Sequence, residues 1–242
     1  MTPIKLLDTP LYNDAYLIAY HRLEDVSDSK GSFTLTNNNS VSFSSGKFDN
    51  AADFGASNTN KSLTTTNTLG IDGGNISFVG WINVTTAPAL GEAPMLLNQG
   101  NNTSMVRYLL YYENSGGTLQ LTANRSKNGV SDNPTSIVRD LGTGIWFHVA
   151  MTYDGTNLIP YLNGSRGTPL ATSGSGSGTN NTGYAIGAYL ASGGNFFSGK
   201  IDDAAVFSRA LTDTEIGMLV YGKTAFSNTK IRVRPFSPGI AR

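Results

Sequence analysis

Gly217 to Thr224, GMLVYGKT, satisfies G-x-x-x-x-G-K-[ST], the pattern in which backbone N–H groups cradle nucleotide phosphates and a lysine reaches them. Such a loop works only where a strand runs into it and a helix leaves it. Here the order is reversed. Thr212 and Glu215 have the spacing of a capping box, which predicts a helix from Leu211 to about Val220 with Gly217 inside it and Gly222 at its C-cap. The motif is therefore read as a helix end, not as a nucleotide site. Serine catalysis lacks its parts as well: the only histidines are His21 and His148, and no G-x-S-x-G elbow exists. His21 closes the first strand candidate and His148 lies in the alternating run WFHVAMTY, so both are expected to be structural. With no cysteine, thiolate nucleophiles, thiolate zinc sites and disulfides are excluded.

The elements that must carry any site are nearly all strands. Across 242 residues the net charge is zero, charged residues make up 14%, and Gly, Ser, Thr and Asn are abundant. That is the composition of short strands joined by tight polar turns. It leaves no electrostatic footprint for nucleic acid and no apolar run long enough for membrane insertion. Nor do the first residues, MTPIKLLDTPLYNDAY, hold the apolar core of an export signal. Strand candidates include AYLIAYHRL, SFTLTN, MVRYLLYYE, TLQLTANR, NLIPYLNG and YAIGAYL. In NISFVGWINV, alternation places Ile76, Phe78, Ile82 and Val84 on one face and Ser77, Val79, Trp81 and Asn83 on the other. Asp154-Gly155 and Asn163-Gly164 read as hairpin turns. Ser173 to Gly178, SGSGSG, reads as a surface loop. The expected organisation is an N-terminal arm over 1–14, a sandwich over 15–222, and an extended basic arm over 223–242.

Five blocks, in order, resemble the laminin-G-like branch of the concanavalin A-like lectin/glucanase superfamily. They are AYLIAYHRLED with DSKG, GKFDNAADF, ISFVGWINV, WFHVAMTYDGTNLIPYLNG, and the closing GKIDDAAVFSRALTDTEI from Gly199 to Ile216, which is the most specific. The resemblance covers about residues 15–220. It implies an all-β jelly-roll sandwich of two antiparallel sheets with one short C-terminal helix, and a module that binds or adheres.

That superfamily also contains glycosidases, which need two carboxylates flanking the sugar. The four glutamates are Glu24, Glu92, Glu113 and Glu215, and on a credible strand only Glu24, with Asp28, has an acidic partner two or four residues away. That pair leads into a loop, so hydrolysis is not expected. In the superfamily the first and last strands tend to lie side by side, which would bring Glu24 and Asp28 towards Asp202 and Asp203 as a candidate Ca²⁺ set. As adjacent strand residues, Asp202 and Asp203 are expected on opposite faces. The alternative is that Asp202 accepts hydrogen bonds from backbone N–H groups. Tyr111, Tyr112, Tyr189 and Phe196 are the candidate sugar platforms, with one of the adjacent tyrosines expected in the core, and Phe197 matches a packing position of the family. The functional expectation is a non-enzymatic domain that binds a glycan or cell-surface ligand, displayed on a virion such as a bacteriophage and self-associating or joined to other virion proteins through its arms. Phe226, Arg232, Arg234 and Phe236 are the expected assembly residues. The alternative is an extracellular carbohydrate-binding module attached to a larger enzyme or adhesin.

Overall fold

The computed structural model describes residues 3–56, 59–67, 69–71, 74–100, 107–127, 130–131, 134–172, 183–189 and 194–222. Among these described residues, seventeen strands form two antiparallel sheets of nine and eight strands. The centre of the nine-stranded sheet is Ile76–Val84, with Trp146–Tyr153 on one side and the closing strand Gly199–Phe207 on the other. In the eight-stranded sheet, Arg107–Ser115 pairs with Thr118–Lys127 and Met95–Gln99, and Met95–Gln99 pairs with Tyr184–Ile186. Side chains from both sheets meet in one core, including Phe54, Phe78, Ile82, Leu110, Tyr112, Leu121, Phe147 and Phe197. Alternation explains who enters it: Ile76, Phe78, Ile82 and Val84 face inward, as their period of two requires.

The other face of the central strand is also apolar because it too is covered. Val79, Ala150, Ala205 and Phe207 form a second cluster with Leu6, Leu11, Ile216 and Leu219. Ile216 and Leu219 come from the helix Asp213–Tyr221. Leu6 and Leu11 come from two 3-10 turns, Leu6–Asp8 and Pro10–Asn13. Residues expected as a free N-terminal arm are thus docked on the sandwich. Thr9 joins the two turns to each other, accepting from Leu11 N and donating to Leu6 O. Arg209 clasps both coverings, pairing with Asp14 beside the turns and with Glu215 of the helix.

The helix begins with a capping box between Thr212 and Glu215 and stops where Gly222 takes a φ of +79° and donates its N–H to Met218 O. Gly217 is buried inside it, so the phosphate-loop pattern is a helix and its cap. Asn163-Gly164 makes the tight turn expected of it, with φ of +47° and +79° between paired Leu162 and Ser165. Asp154-Gly155 does not: the loop there is longer, and Asp154 Oδ1 accepts from Thr156 N at 2.8 Å and Asn157 N at 2.7 Å. Among the described residues no helix is long and apolar enough to cross a membrane. Ser173 to Gly178 and the whole segment 223–242, with Phe226, Arg232, Arg234 and Phe236, lie outside the described residues.

Candidate functional site

The closing strand changes partner along its length. Its first half, from Gly199 to Ile201, pairs with Asn50–Gly55, and its second half, from Ala204 to Phe207, pairs with Leu17–His21. Asp202 and Asp203 sit at the changeover. Opposite Ile76–Val84 the register slips between Asp202 and Ala205, and Asp203 has a φ of +52°. This is a β-bulge, and it alters which way the side chains face. Ile201 and Ala204 both enter the inter-sheet core, so the two aspartates between them share the outer face rather than opposing one another. They serve the gap between the two partner strands: Asp202 Oδ2 accepts from Phe48 N at 2.9 Å, while Asp203 accepts from Leu6 N at 2.9 Å and from the Tyr20 hydroxyl. Burial disfavours their charged forms and pushes the pKa of Asp202 up to about 7 and that of Asp203 up to about 6.

The other two acids of the candidate calcium set have separate occupations. Glu24 takes Arg22 and Asn50 N. Asp28 takes the N–H groups of Tyr20, Lys30 and Phe33. Ca²⁺ needs roughly six to eight oxygens converging on one point. Among the described residues no group of three or more histidines or acids converges so, and these four carboxylates do not fit the ion. The histidines are interior residues. His21 bridges Ser27 O and the Tyr184 hydroxyl in the interior, and burial lowers its pKa. His148 lies edge-on to Trp81 at 5.3 Å, and complete burial brings its pKa down to about 3, so it stays neutral.

The aromatic candidates divide. Register puts Tyr112 in the inter-sheet core, 1% exposed, with its hydroxyl accepting from Leu141 N at 3.1 Å, so it is no sugar platform. Tyr111 faces the other way and packs with Met95 and Leu109, flanked by Ala93 and Tyr189. At 7% exposure it supports that patch from beneath, and burial pushes its pKa up to about 12. Tyr189 is half-buried and pairs through its N–H with Gly194 O. Phe196 remains. Its neighbour Phe197 is buried against Phe54 with ring centroids 6.3 Å apart, whereas Phe196 is half-buried at the surface.

Phe196 opens onto a cavity of about 300 Å³ between the loop Thr86–Pro94 and the segment 195–198. Glu92, Ala93, Pro94 and Asn195 are among its other lining residues. Its walls are tied down by backbone. Met95 N donates to Asn195 O, Thr85 N to Ser198 O, Gly91 N to Asn114 O, and Asn114 N to Glu92 O. Asn114 Nδ2 adds a bond to Pro88 O at 3.1 Å, and Ala89 N donates to Glu92 Oε2 at 2.8 Å. The loop is therefore preformed, with its backbone polar groups spent on holding its shape. The lining residues comprise one carboxylate with prolines and alanines on this loop, one aromatic ring and one carboxamide on the segment 195–198, and a hydroxyl side chain on each. Ala93 lines the cavity and also touches the Met95, Leu109 and Tyr111 patch, so the two are continuous.

A model of the concanavalin A-like lectin/glucanases superfamily, of the laminin G type, matches residues 54–217. The chain belongs to that superfamily. Its solved structural neighbours agree on the fold. Domain 4 of an extracellular arabinanase from Geobacillus stearothermophilus, determined in complex with arabinotriose, is 19% identical with a TM-score of 0.64, covering 84% of this chain and 98% of that domain. Botulinum neurotoxin type C, whose entry into cells depends upon interaction with two ganglioside molecules, is 15% identical with a TM-score of 0.63, over 84% of this chain and 50% of that one. The binding domain of Paraclostridial Mosquitocidal Protein 1 is 18% identical with a TM-score of 0.63, over 85% and 52%. This chain thus spans nearly the whole arabinanase domain and about half of each toxin structure. No curated protein sequence matches it.

Within the superfamily's sandwich, the cavity lies where sequence reasoning has least to work with. Of its lining residues only Phe196 is a sequence-predicted sugar platform. The loop containing Glu92 resembles nothing in the family blocks. A usable signal exists in its two prolines, Pro88 and Pro94, which mark a connection of fixed shape rather than a slack one.

Proposed function

We propose that this protein is a non-enzymatic carbohydrate-binding domain whose ligand enters the cavity beside Phe196. The observation that carries the reading is the combination of an aromatic ring and a carboxamide on the segment 195–198 with a carboxylate on the preformed loop facing it. A pyranose or furanose ring presents an apolar C–H face and a rim of hydroxyls, and this lining offers a partner for each. At about 300 Å³ the cavity is at the small end of the roughly 300–1,000 Å³ typical of small-molecule sites, a size suited to one or two sugar rings. Glu92 is the single carboxylate among the lining residues, whereas glycoside hydrolysis uses a pair, which favours binding over cleavage. The neighbours that hold arabinotriose or engage gangliosides support the same class of ligand.

The Phe196→Ala variant should keep the melting temperature of the parent, because the ring is only half-buried, while losing at least about tenfold in affinity for the best sugar on a glycan array. Unchanged sugar binding by that variant would move the site elsewhere. Display on a virion is the finer form of this proposal. It rests on the basic segment after Gly222, and incorporation of a chain ending at Gly222 into particles is its test.

A further inference from the structure

From the charge of its lining we infer that the cavity selects the uncharged end of a glycan and rejects sugars that carry carboxylate or sulfate. This rests on the carbohydrate reading above. Glu92 is the only charged residue among the lining residues, and it is exposed. Its Oε2 is occupied by Ala89 N, whereas Oε1 has no partner among the described residues. That oxygen can only accept, so it asks for a hydroxyl or amine donor.

The cation closest in sequence to the cavity is committed elsewhere. Lys200 lies two residues beyond Ser198, but its ammonium donates to Ser45 O at 2.9 Å and faces Asp53 at 3.8 Å. Glu92 joins none of the ion pairs among the described residues. The remaining lining groups are a phenyl ring, a carboxamide, two hydroxyl side chains, prolines and alanines, none of which can neutralise an anion. A sialic acid, uronic acid or sulfated sugar would therefore place an anion beside the Glu92 carboxylate, with no cation among the lining residues to offset it. Like charges so juxtaposed discriminate strongly between ligands. A neutral sugar instead gains from Phe196 on its C–H face and from Glu92 and Asn195 at its hydroxyls.

The test is a set of matched oligosaccharides, each neutral glycan paired with the same glycan bearing a terminal sialic or uronic acid, titrated calorimetrically into the full chain and into its E92Q and F196A variants. The neutral member should bind at least about tenfold more tightly than its acidic partner. E92Q should narrow that ratio, since the carboxamide oxygen would still accept from Ala89 N but the side chain would no longer repel an anion. F196A should weaken both members. Equal or tighter binding of the acidic member, with sensitivity to F196A retained, overturns the charge selectivity while leaving the carbohydrate reading standing. A ratio that E92Q does not narrow overturns the assignment to Glu92. Failure of every neutral and acidic glycan to bind defeats the carbohydrate reading, and this inference with it.

Discussion

Asp202 and Asp203 hold their protons more tightly than an aspartate in water because burial penalises the charged form, and for Asp202 the neighbouring carboxylate adds to the effect. A raised carboxyl pKa means that the folded chain binds more protons than the unfolded one between the two values. The stabilisation is complete below an unfolded pKa of about 4 and is lost as pH rises through the folded values. Asp14, Asp25, Asp154 and Glu215 act oppositely: hydrogen bonds or Arg209 lower their pKa values, and their contribution is lost as pH falls. His21 and His148 also oppose the aspartates, because burial lowers their pKa values and the unfolded chain then binds their protons below an ordinary imidazole pKa of about 6.5. Stability should therefore change little from about pH 4 to 6 and decline only towards pH 7 as Asp202 ionises. Asp202→Asn should flatten that decline, since the amide oxygen still accepts from Phe48 N without acquiring charge. Its melting temperature should equal or exceed that of the parent at about pH 7.5 and give no advantage at about pH 5. Melting curves of parent and variant across this range decide the point, and a difference between them that does not grow with pH would refute the assignment.

Among the elements, those with a regular period were legible in the sequence. Ile76, Phe78, Ile82 and Val84 face the core as alternation required, and Thr212 with Glu215 opens the helix. Where the period breaks, no such signal exists. The bulge at Asp202 and Asp203 inserts one residue, and nothing in GKIDDAAVF distinguishes that insertion from regular alternation. Tyr111 and Tyr112 could be told apart only once the register of Arg107–Ser115 was known. The cavity was less legible still, because its shape comes from contacts distant in sequence. One of them is glycine-dependent. Gly187 has a φ of +81°, and a Cβ there would meet the Phe54 ring at 2.3 Å. Its carbonyl accepts from Phe197 N at 2.9 Å, which anchors the segment bearing Phe196. Gly187→Ala should displace Phe54 and Phe197 together, at a cost of roughly 2–4 kcal/mol from overpacking and strain. It should also weaken sugar binding more than its distance from the cavity implies. Denaturant unfolding combined with glycan titration would check both, and a variant of unaltered stability would show that the backbone there accommodates a methyl group.

At the scale of the whole molecule, the two faces of the sandwich are used differently. The outer face of the nine-stranded sheet is closed by chain from both ends of the sequence, the 3-10 turns at the start and the helix Asp213–Tyr221 near the end, while the cavity opens at the loops joining the sheets. The short turns escaped sequence reading because three or four residues hold no periodicity, and Pro3 and Pro10 favour an extended reading. Their docking is nonetheless substantial. Leu6 is 1% exposed, Leu11 is 5% exposed, and Leu6 N is one of the donors that satisfy the buried Asp203. Deleting residues 1–13 would uncover Val79, Ala205 and Phe207 and leave Asp203 with the Tyr20 hydroxyl alone. The loss should be roughly 3–5 kcal/mol, from the apolar burial that two leucines provide and an acceptor stripped of a partner. A chain ending at Gly222 should behave differently, since residues 3–222 contain both sheets, both coverings and the helix cap. It should melt with the full chain and bind the same sugar. Side-by-side thermal unfolding of the two truncations tests this division: equal stability of the N-terminal deletion and the parent would return residues 1–13 to the role of a free arm, and unfolding of the C-terminal truncation would make the final segment part of the sandwich.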